Sequence, residues 1–446
     1  MNTIFAQASA QGKAGVSVFR ISGPNALKSL RALICQTNDK FEPRKLYFRK
    51  IYNPKSNQQI DDALVVFFKG KSSFTGEDSV EIYTHGSIAV IKMMHEVLAS
   101  LEDMRIAEPG EFAKRAFLNG KMDLTAAEGL ADLIDAETEL QHKQAIKQLD
   151  GGLEKIYEEW RTELLKVISL IEAYIDFPDE DIPEETVNKV RLLIDQITNK
   201  IKVHLDDNHR GERLRNGIKL AIIGRPNVGK SSLLNYLMKR EIAIVSNIAG
   251  TTRDVIEGHI DVGGYPIILQ DTAGIHDHTE DIIEQEGISR AWSAARNADI
   301  KIILYDANRR NDEKEYFRDI VDANTIIVFN KIDLVVPFSP APTMNNHSPI
   351  NVSIKNQQGL DEIMAGILSI AHKIASPSES PQITRARHRS ELQKALEYMS
   401  SFSLNNDLVL AAEDLRMTMR AISNITGKIT VDEILSEIFS NFCIGK

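Results

Sequence analysis

One stretch constrains this chain more than any other: Gly224-Arg-Pro-Asn-Val-Gly-Lys-Ser231. It has the spacing Gly-x-x-x-x-Gly-Lys-Ser, and it follows the apolar, β-branched run Lys219–Gly224 and precedes the helical pattern Ser232–Met238. A glycine loop between a strand and a helix is the setting in which backbone N–H groups and a helix N-terminus cradle phosphate. Asn227, Val228, Gly229, Lys230, Ser231 and Ser232 are therefore predicted to lie against phosphates. Lys230 is expected to reach the β and γ groups, and Ser231 to ligate Mg2+.

The surrounding sequence agrees with that setting. Pro266–Gln270, Ile300–Tyr305 and Thr325–Phe329 are further short apolar runs separated by helical intervals, the mark of a parallel α/β sheet. Asp271-Thr272-Ala273-Gly274 ends one run; Asp271 can hold Mg2+ through water, and the Gly274 N–H can sense a γ phosphate. Asn330-Lys331-Ile332-Asp333 follows another run, and the Asp333 carboxylate can pair with the N1–H and N2 amine of guanine, a donor pair adenine lacks. Ser353-Ile354-Lys355 fits a loop behind the base. Together these motifs predict a Ras-like domain that binds and hydrolyses GTP.

Two departures from Ras-like practice matter. Ile275 occupies the position of the glutamine that usually orients the attacking water, so another polar group must do so. Glu280, Asp281, Glu284 and Glu286 are the candidates, and spacing alone leaves the choice among them open. Asn227 lies inside the phosphate loop, and Ser246-Asn247-Ile248-Ala249-Gly250-Thr251-Thr252 lies downstream. Thr252 is the candidate switch threonine for the Mg2+ shell. The segment before it could turn carbonyls towards a monovalent cation, with Asn227 adding an oxygen; the other reading has Asn227 capping its loop.

Outside this domain the texture changes. Residues 1–120 mix strand-like runs, Gly15–Ser22 and Ala63–Phe68, with helical stretches such as Ile88–Leu101, and predict an α+β domain. From Leu124 the apolar period becomes helical: Leu153, Ile156, Trp160, Leu164, Val167, Ile171 and Tyr174 form one stripe, with Gly151-Gly152 upstream. The acidic, proline-broken Asp176–Glu185 reads as a solvated loop, after which helix is expected to run from about Glu185 to Arg213, and again over Arg389–Ser400 and Asp407–Ile422. The economical model is four segments: 1–120 α+β, 121–214 helical, 215–377 the inserted GTPase, and 378–446 returning to the helical domain.

Composition limits the remaining options. Among 446 residues, 43% are hydrophobic, enough for several cores, yet no run approaches a bilayer span. Met1–Gln7 lacks the layout of a signal peptide, and the two cysteines, Cys35 and Cys443, are far apart, so a reducing cytoplasm is expected and a zinc site is not. Net charge is −10 overall, with residues 1–120 at +4 and residues 121–214 at −10. Such a chain is a poor stand-alone nucleic-acid binder, because phosphate affinity comes largely from Lys and Arg.

Segments along the whole chain resemble the bacterial and organellar tRNA-modification GTPases of the MnmE (TrmE) family. They include Phe19-Arg-Ile-Ser-Gly23, Ser73-Phe-Thr-Gly-Glu-Asp78, Pro109-Gly-Glu-Phe112, Arg115-Ala-Phe-Leu-Asn119, Ala131-Asp-Leu-Ile-Asp135, Asp176-Phe-Pro-Asp-Glu180 and the terminal Phe442-Cys-Ile-Gly-Lys446. The resemblance implies an N-terminal domain that binds a 5-formyl- or methylene-tetrahydrofolate donor and makes a homodimer. It implies folate contacts from Arg20, Glu81, Lys121 and Lys446, a water-orienting Glu284, and a potassium loop of Asn227, Ser246, Ile248 and Thr251. The implied reaction adds an aminomethyl or carboxymethylaminomethyl group to carbon 5 of the tRNA wobble uridine, with an FAD-dependent partner, MnmG, and without a membrane. Two features depart from the family pattern: Ser246, where threonine is common, and the stretch His276–Asp281. Cys443 has no lysine nearby except Lys446, and its role stays open. An Era-like ribosome-assembly GTPase is the alternative, although the Gly-x-x-Gly RNA loop of such proteins is absent here.

Overall fold

The computed structural model describes residues 2–35, 40–176, 183–240, 257–271, 292–309, 317–335, 347–378, 380–404, 407–429, 435, 438–440 and 442–445. Its contacts divide the chain into two compact units, one of Met1–Ala131, Gln148–Ile168 and Leu415–Lys446, the other of Asp132–Lys147 and Ser169–Asp414.

The first unit carries strands β1 (Thr3–Gln7), β2 (Ala14–Ser22), β3 (Leu46–Tyr52), β4 (Gln59–Phe68), β5 (Ser79–Gly86) and β6 (Met104–Ile106). They form one sheet in the order β3-β4-β5-β2-β1-β6, antiparallel throughout except for the parallel β1–β6 pair. Strand alternation sends Phe19 and Ile21 of β2, Val65 and Phe67 of β4, and Val80 and Ile82 of β5 into one core. Helices α1 (Ala26–Leu33) and α2 (Ile88–Ala99) close that core with Leu30, Leu33, Met94 and Leu98. The Ser87 hydroxyl caps α2 by accepting from the Val90 N–H at 3.2 Å. The alternate residues, Arg20 on β2 and Glu81 on β5, point to the opposite face as register partners. Helix α3 (Glu111–Leu118) follows β6, and α4 (Leu124–Asp135) begins where the Asp123 carboxylate accepts from the Ala126 N–H at 2.8 Å. A second cluster in this unit joins Ala113, Leu124 and Ala127 to Leu435, Phe439 and Phe442.

Helices α5 (Glu139–Leu149) and α6 (Gly152–Asp176) are separated as expected at Gly151. Helix α7 (Glu184–Leu205) then ends short of the expected Arg213, and a separate α8 (Arg210–Asn216) begins after a break. Asn208 and His209 adopt left-handed φ values of 51° and 56°, and Asp207 accepts from the His209 N–H at 3.0 Å. A local aspartate hydrogen bond thus competes successfully with the helix.

In the second unit, β7 (Ile218–Gly224), α9 (Lys230–Arg240), β8 (Glu257–Val262), β9 (Tyr265–Asp271), β10 (Ile300–Asp306), β11 (Thr325–Asn330) and β12 (Ile350–Asn351) build a six-stranded sheet of order β12-β11-β10-β7-β9-β8. All neighbours are parallel except β8–β9. Strands of such a sheet are buried on both faces, which is why they read as unbroken apolar runs. One face packs Leu220 and Ile302 against α10 (Leu360–Ala375), and the other packs Tyr305 and Phe329 with Phe317. Helix α11 (Ala386–Ser401) packs on α7, and α12 (Leu408–Thr426) completes the order. The expected combination of an α+β domain, helical segments and an inserted parallel α/β domain is the observed architecture. Among the described residues, no helix is long and apolar enough to cross a membrane.

Candidate functional site

The carboxyl ends of β7 and β11 lie at the same edge of the sheet, both flanking β10, and deliver the phosphate loop and the Asn330–Asp333 loop side by side. A cavity of about 540 Å3 opens between them, lined among others by Asn227, Gly229, Ser232, Lys331, Asp333 and Lys355. Ligands of open α/β sheets bind outside the carboxyl ends of the strands, which is where this cavity lies.

Lys230 stands at the start of α9, and its buried ammonium donates to the carbonyls of Gly224 at 2.9 Å and Arg225 at 3.0 Å. These are oxygens of the loop itself, so the cation is held at the mouth of the phosphate cradle. Gly229 must be glycine: its φ is +110°, and a Cβ there would come within 2.4 Å of the Asn330 side-chain nitrogen. That closeness has a purpose. The Asn330 amide donates to the Val228 carbonyl at 2.7 Å and accepts from the Ile354 N–H at 3.1 Å. It ties the phosphate loop to the Ser353–Lys355 loop from a fully strand-bound position.

Asp333, the expected reader of guanine, accepts from the Ser353 hydroxyl at 2.6 Å, and the same hydroxyl accepts from the Asn356 N–H at 3.2 Å. One Asp333 oxygen is thereby oriented from behind. Sequence reasoning placed Ser353 and Lys355 near the base; it missed Asn235, Tyr236 and Lys239 of α9 as residues of the same cavity wall. The helical period that puts them on the same side of α9 as Ser232 is legible, but a wall is formed only once β11 and its loop come opposite.

Asn227 has a left-handed φ of 62° and lines the cavity. Asp271 closes β9 in register with Ile222, so its backbone is fixed next to the strand that leads to the phosphate loop. Ser246, Asn247, Ile248, Ala249, Gly250, Thr251 and Thr252, together with Thr272, Ala273, Gly274 and Glu284, lie outside the described residues. Among the described residues there is no group of three or more His, Cys, Asp or Glu able to hold a metal.

Two of the second set of expected residues lie on the face of the first unit's sheet opposite its main core, beside Phe74 and Phe112. Arg20 and Glu81 form an ion pair at 3.0 Å, with side chains 22% and 16% exposed. The guanidinium sits over the rings of Phe74 at 5.3 Å and Phe112 at 5.7 Å. Tyr83, which the sequence did not single out, donates to the other Glu81 oxygen at 2.7 Å. Burial, then the hydrogen bond to Glu81, pushes its phenol up to about 12, so it remains a donor across ordinary pH. An oriented carboxylate beside a guanidinium suits a polar ligand that carries hydrogen-bond donors. Lys121 is not brought onto this pair: its ammonium donates to the Lys71 carbonyl at 2.8 Å. Lys446 lies outside the described residues, while its neighbour Gly445 packs against β1, where a Cβ would come within 2.3 Å of the Gln7 carbonyl oxygen.

Comparison with known proteins identifies the family of the chain. The model of the GTP-binding protein TrmE N-terminus matches residues 3–121, and that of the MnmE helical domain matches residues 124–443. The tRNA modification GTPase MnmE of Rickettsia typhi (strain Wilmington) is 57% identical over 451 residues, covering 100% of both chains. Those of Rickettsia prowazekii (strain Madrid E) and Rickettsia canadensis (strain McKiel) are each 57% identical over 447 residues, again with 100% of both chains covered. With a family model across most of its length and relatives matched end to end, the chain belongs to the MnmE family of tRNA modification GTPases.

Proposed function

We propose that this GTPase modifies carbon 5 of the tRNA wobble uridine, adding an aminomethyl or carboxymethylaminomethyl group together with the FAD-dependent partner MnmG. The observation that carries the reading is the pairing, in one chain, of a guanine-type nucleotide cavity with a carboxylate–guanidinium site on the sheet of another unit. The first suits a timing reaction; the second suits a carbon donor.

At the nucleotide, Lys230 would neutralise the β and γ phosphates, and Ser231, Thr252 and Asp271 would hold Mg2+, which supplies further positive charge to them. Asp333 selects guanine, and Glu284 orients the hydrolytic water in place of the absent glutamine. Asn227, Ser246, Ile248 and Thr251 would hold a potassium ion, and Asn227's left-handed backbone and place in the cavity wall support that assignment. Bound there, the ion supplies positive charge where other GTPases use an arginine.

At the second site, Arg20 and Glu81 orient a tetrahydrofolate one-carbon donor, with Lys121 and Lys446 completing its contacts. Phe74 and Phe112 exclude water beside them. The chain works as a homodimer in the cytoplasm, and the GTPase cycle drives conformational change rather than the modification chemistry. Nucleoside analysis of tRNA from cells lacking this protein tests the reading. Loss of the carbon-5 group at the wobble position, restored by the wild-type gene, is the expected result; unchanged levels of that nucleoside would refute it.

A further inference from the structure

The nucleotide cavity has one wall whose support lies outside it. Lys331 lines the cavity from the Asn330–Asp333 loop, with a left-handed φ of 67°. A lysine side chain has four flexible torsions, and an unanchored one makes a poor wall. Here the ammonium is anchored: it donates to one Asp306 oxygen at 2.8 Å. The other Asp306 oxygen accepts from the Asn308 N–H at 2.9 Å and from the Asn308 side-chain amide at 3.1 Å. Asp306 is the last residue of β10 and the register partner of Asn330, so its backbone is set by the sheet. Its side chain is only 14% exposed, and it does not line the cavity. Burial works against its charge, but the Lys331 hydrogen bond and those from Asn308 outweigh it and hold the carboxyl below the usual range.

We propose that Asp306 is a positioning residue for the guanine nucleotide: by fixing the Lys331 ammonium it holds the lysine's alkyl stem as one wall of the base pocket. This rests on the reading of the cavity as a guanine-nucleotide site. A wall touches the face of the base and not its edge. Its loss therefore weakens every purine nucleotide the pocket accepts by one factor, unlike the loss of Asp333, which reads the edge.

The test is nucleotide affinity and dissociation rate for the full chain, using fluorescent GDP and IDP. Asp306→Asn should raise the Kd about 10-fold for both, through faster dissociation. On a Lys331→Met background, which keeps the stem but has no ammonium to fix, the same change should add less than about twofold. Asp306→Glu, which keeps the charge, should recover most of the affinity, separating positioning from a general loss of folding. Wild-type affinity in Asp306→Asn, a multiplicative effect with Lys331→Met, or a Glu variant as weak as the Asn variant would each overturn the assignment. Failure of the underlying reading looks different: the wild-type chain itself would bind ADP as well as GDP.

Discussion

Asn330 uses both ends of its amide within the protein, bridging loops that are 102 and 24 residues away from it. The motif it belongs to is legible in sequence, and so is the guanine reader Asp333. What the sequence does not display is this division of labour, because hydrogen bonds across such separations leave no local pattern. The proposed reading gives the base choice to Asp333, a carboxylate that lines the cavity and is braced by Ser353. Asp333→Asn should therefore weaken GTP by about 10²-fold, the cost of a charge-assisted hydrogen-bond pair. The same variant should gain xanthosine nucleotides, whose ring presents the complementary pattern. Calorimetry with GDP and XDP checks both directions, and unchanged GDP affinity removes Asp333 from the role. At the second site the sequence supplied Arg20 and Glu81 through resemblance, whereas Tyr83 emerges only from strand register, two residues along β5 from Glu81 and on the same face.

At the level of elements, strands β2, β7, β10 and β11 fall where apolar runs predict them, and the helical stripe from Leu153 to Tyr174 lies within α6. Periodicity missed the α7–α8 break because the local Asp207–His209 hydrogen bond that interrupts the helix is reinforced from far along the chain. Arg389 of α11 donates to the Leu205 carbonyl at 2.8 Å, pairs with Asp207 at 2.7 Å and reaches Glu212 at 3.2 Å. It caps one helix and ties it to the next. Arg389→Met would leave two largely buried carboxylates without their cation and should cost about 3–5 kcal/mol. Denaturant unfolding of the helical signal measures it. The neighbouring His204, near the end of α7, adds a pH dependence. Burial lowers its pKa to about 4, opposed by Asp207. Its unfolded counterpart titrates near 6.5. Between those values the unfolded chain takes up a proton that the folded chain refuses, so stability falls as pH drops from about 6.5 towards 4 and then levels off. Hydrogen exchange of the α7 amides at pH 7 and pH 5 should show this loosening, and His204→Leu should flatten it.

Over the whole molecule, charge says what neither residues nor elements do. The net is −10; most of the excess of acid lies in residues 121–214, residues 215–446 add −4, and only residues 1–120 are net positive at +4. Phosphate contacts are made by Lys and Arg and scale with their local excess, so tRNA affinity from this chain must come mainly from the first 120 residues. The proposed modification nevertheless needs a tRNA held firmly enough for chemistry at one base. A basic partner resolves the conflict by contributing most of the phosphate neutralisation, which is the part the reading gives to MnmG. Salt dependence turns this into a measurement, since each neutralised phosphate adds about 0.9 to the slope of log K against log salt for a duplex and about 0.7 for a single strand. The chain alone should bind tRNA weakly at physiological salt, with a shallow slope corresponding to about two to four phosphates. Addition of the partner should raise the affinity and at least double the slope. Charge reversal of lysines in residues 1–120 should reduce what the isolated chain retains, while charge reversal elsewhere should not. Tight binding by the chain alone with a steep slope would mean that a local basic surface outweighs the acidic total, and the partner would then be needed for chemistry and not for holding the RNA.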